Sequence, residues 1–62
     1  MKERQEINKQ ILVALLELNS RFPDLRFGQL MACVNMESVP FYEESAATLA
    51  RLSEGVTRLE GK

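Results

Sequence analysis

Few residues in this chain could do chemistry, and their spacing narrows the choice further. There is no histidine, so no Ser/His or Cys/His pair can be drawn and no imidazole can act as a base near neutral pH. Glu43 and Glu44 are adjacent carboxylates. Neighbouring helical positions point about 100° apart, so the two do not converge on one substrate atom. At the start of a helix they read as charge complementing its N-terminus, worth about 0.3–1 kcal/mol. Hydrolysis by paired carboxylates would need the second one across a cleft, which a chain of this size scarcely encloses. The single cysteine, Cys33, excludes an intrachain disulfide and, with no histidine present, any zinc-ligand set. It lies off the apolar stripe of its segment, beside Gln29. That position suggests a half-buried structural thiol, with a reactive or redox-sensing thiol as the lesser alternative. Gly28, Gly55 and Gly61 form no phosphate-cradling loop. No catalytic, cofactor-binding or metal-ligating residue is assigned, no cofactor is expected, and the chain reads as a non-enzyme.

Charge argues against a nucleic-acid partner. Eight Lys+Arg against nine Asp+Glu give a formal net charge of −1, so no broad attraction to nucleic acid or an anionic membrane is expected. Arg21 and Arg26 flank a turn, each followed by a phenylalanine, and Lys2, Arg4 and Lys9 lie on the first helix. These cations are interleaved with acids, and the stretch Phe27–Met36 carries no charge at all. A helix-turn-helix would want a basic recognition helix. A small helical nucleic-acid-binding regulator therefore remains only as the alternative to a protein-binding module.

The elements that position these residues separate at two sets of breakers. From about Glu3 to Ser20, the residues Ile7, Ile11, Ala14, Leu15, Leu18 and then Phe22 share a sector of roughly 100° at helical spacing, a core-facing stripe. Leu12, Val13 and Leu16 fall outside it. Either two short helices cover this one from both flanks, or a second subunit does. Phe22-Pro23-Asp24 ends the helix, and Asp24 is a good N-cap for the next segment. That segment, about Leu25 to Met36, sets Phe27, Leu30, Met31 and Val34 on one face. Gly28 within it suggests close approach of another backbone, with a kink or a ligand against it as alternatives, since glycine in a helix costs about 1 kcal/mol relative to alanine.

Asn35-Met36-Glu37-Ser38-Val39-Pro40 reads as a loop, since Pro40 pushes Val39 out of helical geometry. Ser45 then offers an N-cap for a last helix, although Pro40 could also open it as the first helical residue. Leu49, Leu52, Val56 and Leu59 form a short seam, and Ala46, Ala50, Ser53 and Thr57 an adjoining strip of small residues for close packing. Gly55 could interrupt or end this helix, but continuation to Glu60 is the reading adopted. Glu54 and Arg58 make an i,i+4 pair.

The run Phe22-Pro23-Asp24-Leu25-Arg26-Phe27-Gly28-Gln29-Leu30, followed by Phe41-Tyr42-Glu43-Glu44-Ser45, resembles a group of short bacterial and phage-type proteins. These share a pattern close to PDLRFGQLL, then an aromatic pair and acids that open a final helix. An acidic residue often holds the cap position in that group, where this chain has Ser45. The resemblance implies an all-helical fold and no assigned activity. It also implies that Asp24, Arg26, Phe27, Gly28, Gln29, Phe41 and Tyr42 act together structurally. A physical form of that idea has Arg26 or Asp24 meeting Tyr42 or its neighbouring acids while Phe27 and Phe41 pack across the second loop.

Sixty-two residues make one small domain, 1–62, in which 45% of residues are hydrophobic and 27% charged, the composition of a folded chain. A core this small rarely supplies more than about 3–5 kcal/mol, and disulfide or metal reinforcement is excluded, which leaves a partner chain. The expected architecture is all-α: an N-terminal helix plus a compact helical pair, completed by homodimerisation through Leu12, Val13 and Leu16. The apolar run Ile11–Leu16 is far shorter than the ~20 residues a membrane span needs. The N-terminus has neither the basic start nor the long apolar stretch of a signal peptide. A cytoplasmic protein is expected. Its expected function is to bind and occlude or regulate another protein, as a phage-encoded inhibitor, an immunity protein or a small regulatory subunit does. Phe41, Tyr42, Glu43 and Glu44 are the candidate contact residues. The competing possibility is that Phe41 and Tyr42 plug the core beneath the loop.

Overall fold

The computed structural model describes residues 2–61. Within them three helices make an all-α domain: α1 (Lys2–Arg21), α2 (Phe27–Cys33) and α3 (Ser45–Glu60). The core stripe of α1 stands as its periodicity requires. Ile11 and Leu18 are buried, and Ile7, Ala14, Leu15 and Phe22 pack half-buried around them. On α3, Leu52 is fully buried and Leu49, Val56 and Leu59 are half-buried. The helix runs unbroken through Gly55 to Glu60. The strip Ala46, Ala50, Ser53 and Thr57 faces outward instead of packing. The inward face carries Thr48, Leu52 and Gly55.

The broadest packing is between α1 and α3. Arg4 meets Glu44 at one end of this pair and Arg21 meets Glu60 at the other, so the two helices run parallel. Glu44 favours the positive start of α3 and Arg21 the negative end of α1. A parallel pair needs a long return path, and residues 22–44, including α2, supply it.

The second helix starts two residues later than the expected Leu25, and Asp24 is not its cap. Arg26 holds the N-cap position, and its backbone N–H donates to Gln29 Oε1 at 2.9 Å, one half of a capping box. At the other end Asn35 adopts φ 63° and the Met36 N–H donates to the Met31 carbonyl at 2.8 Å. This is a Schellman-type stop with asparagine in the left-handed position, so α2 ends before Met36. Leu30, Met31 and Val34 are buried as a group. Phe27 is not: it stands at the first helical position and is 71% exposed.

The glycine that admits another backbone is Gly55, not Gly28. A Cβ on Gly55 would lie 2.6 Å from the Cα and carbonyl carbon of Val34, whereas one on Gly28 would meet nothing within 4 Å. Helix α3 therefore crosses the end of α2 at backbone contact. No helix among the described residues is long and apolar enough to cross a membrane.

Candidate protein-interaction surfaces

The Phe41–Tyr42 pair sits on a turn. The Glu43 N–H donates to the Pro40 carbonyl at 3.0 Å, closing a four-residue turn with the two aromatics at its centre. Both side chains point into solvent, Phe41 100% and Tyr42 80% exposed. They contact each other edge-to-face, with ring centroids 5.8 Å apart and planes at 77°, a favoured aromatic geometry. Neither plugs the core. Phe27, largely exposed on α2, does not pack with Phe41 across the second loop either.

What lies beneath the turn is polar. Glu43 is half-buried, and its Oε1 accepts from Thr48 Oγ1 at 2.7 Å and from Arg51 Nη2 at 2.6 Å. Arg51 Nη1 donates in turn to the Ser38 carbonyl at 3.4 Å. One guanidinium thus holds both sides of the loop that carries the aromatics. Glu43 positions the tip, its carboxylate turned to Thr48 and Arg51. Glu44 is exposed but is bound by Arg4, whose Nε and Nη2 donate to its two carboxylate oxygens at 3.1 and 3.0 Å. Of the four candidate contact residues, Phe41 and Tyr42 are free to touch a partner, and the two acids hold the structure around them.

A second apolar surface lies on α1 and α2. Leu12 and Leu16 are 66% and 65% exposed, and no helix among the described residues covers them from either flank; Val13, also exposed, lies apart from them beside Glu6, Lys9 and Glu17. Leu12, Leu15, Leu16, Asn19, Phe27 and Leu30 line a shallow open groove there. The inclusion of Phe27 could have been suspected from the sequence only once α2 was known to begin at that residue.

The remaining residues with chemical potential are dispersed. Cys33 is a free, exposed thiol in the last turn of α2, not a half-buried one. Arg58 Nη2 donates to Asn35 Oδ1 at 2.8 Å, reaching across to the α2 stop instead of pairing with Glu54. Among the described residues no three His, Cys, Asp or Glu side chains gather as a metal ion would need. Compared with known proteins, the chain matches no family model, no curated protein and no solved structure.

Proposed function

We propose that this chain is a small non-enzymatic protein-interaction module that binds and occludes or regulates another protein through the Phe41–Tyr42 tip. The observation that carries this reading is two adjacent aromatics held almost wholly in solvent on a turn whose base is anchored by Glu43, Thr48 and Arg51. Aromatic anchors dominate protein interfaces. Fixing them before contact lowers the entropy lost on binding. Such a tip suits a concave apolar pocket on the partner, with Val39 and Pro40 beside it.

The nucleic-acid alternative gains no support from the placement of the cations. Arg4, Arg21 and Arg51 are each held by a carboxylate and Arg58 by Asn35, so they form no free basic stripe.

A photo-crosslinking amino acid in place of Tyr42, in the source cells, tests the proposal. The expected result is one dominant adduct with a protein, lost when Phe41→Ala is added. No adduct from position 42, or a gel shift of nucleic acid at low salt that Phe41→Ala leaves unchanged, would overturn it.

A further inference from the structure

We infer that the α1–α2 face built on Leu12, Leu16 and Phe27 is a two-fold interface with a second copy of this chain. The folded chain leaves 4791 Å² accessible, whereas a compact protein of 7.1 kDa leaves about 4,100 Å². Its radius of gyration is 11.6 Å, against about 10.6 Å for a compact chain of this length. The chain thus keeps more surface in solvent than a closed monomer of its size, and Leu12, Leu16 and Phe27 are part of it.

The chemistry of this one face decides the occupant. Leu12 and Leu16 stand one helical turn apart and Phe27 rises beside them. Every residue lining the groove between them is uncharged. At the centre of the face two identical copies therefore oppose no like charges. The three ion pairs among the described residues are used inside the subunit, between α1 and α3 and at the base of the tip.

The face also has the form a two-fold requires, because an isologous contact must be self-complementary. It carries a protruding aromatic, Phe27, and beside it an apolar groove floored by Leu15 and Leu30. Under a two-fold, Phe27 of each copy fills the groove of the other. The resulting strip is apolar at its centre, as homodimer interfaces are. The Phe41–Tyr42 tip is not part of this face, so the pair would present two tips.

Light scattering and sedimentation of the full chain across the micromolar range test the inference. The wild type should show twice the 7.1 kDa chain mass. Leu16→Asp should return it to the single-chain mass with unchanged helical circular dichroism, because Leu16 takes no part in the core. Phe27→Ala, which introduces no charge and keeps the fold, should weaken association about tenfold or more. Phe41→Ala/Tyr42→Ala should remain dimeric, which separates this interface from the proposed partner site. A single-chain mass for the wild type throughout would overturn the inference. So would an assembly that resists both Leu16→Asp and Phe27→Ala, or one that dissociates only when the tip is changed.

Discussion

Gly55 lies against the backbone of Val34, so closely that a Cβ would sit 2.6 Å from the Val34 Cα. The neighbour is main chain and cannot turn aside as a side chain would. Val34 is itself fully buried at the end of α2. Gly55→Ala is therefore expected to force α2 and α3 apart and destabilise the fold by about 1–3 kcal/mol. Gly28→Ala meets open space and should stabilise by about 0.5–1 kcal/mol, through helix propensity and a less free unfolded chain. Paired thermal melts of the two variants check both signs, and a neutral Gly55→Ala would contradict the backbone crossing.

The aromatic tip should be dispensable for folding. Phe41→Ala and Tyr42→Ala remove side chains that bury almost nothing in the subunit, so stability should change by less than about 0.5 kcal/mol. Chemical denaturation of each single variant measures this. A loss of several kcal/mol would place the rings in the core after all.

Beneath the tip the outcome reverses. Glu43→Gln keeps the shape but removes the charge that Arg51 and Thr48 share. Arg51, whose Nε is buried without a partner, would lose its charged acceptor as well. A destabilisation of about 1–2 kcal/mol is expected, since hydrogen bonds to charged groups exceed neutral ones. A double-mutant cycle with Arg51→Met should then show coupling between the two positions.

The exposed Arg4–Glu44 pair makes a weaker prediction. Both side chains are largely in solvent, so Arg4→Met should cost less than about 1 kcal/mol despite the paired geometry. The difference should fade in about 1 M salt, where the screening length is near 3 Å. A penalty that persists at high salt would mean that the aliphatic stem of Arg4, not its charge, joins α1 to α3.

Cys33 should react with a maleimide in the folded protein, because its thiol is exposed. Cys33→Ser should leave the melting temperature unchanged within about 0.5 kcal/mol. Slow labelling that speeds up only on unfolding would show the thiol to be covered.

Local pattern alone determined the three helices, the core stripe of α1 from Ile7 to Phe22, the seam of α3 from Leu49 to Leu59, and the breaks at Pro23 and Pro40. Periodicity and backbone restriction act within a few residues, so these features need no knowledge of the rest of the chain. The loop from Asn35 to Pro40 was legible as well, and the left-handed Asn35 that stops α2 is its first residue. What comes against each face was decided only in three dimensions. Gly28 and Gly55 look alike in sequence, and only the crossing of α3 over Val34 separates them. Glu43 and Glu44 are neighbours, yet one turns inward to Arg51 and the other outward to Arg4, because the turn at Pro40–Glu43 fixes their directions. Phe41 and Tyr42 have the composition of core residues, but that turn projects them into solvent. Leu12 and Leu16 were marked by their angle as lying off the stripe. Their exposure followed from tertiary packing, since the parallel α1–α3 pair closes the core on the opposite side of α1.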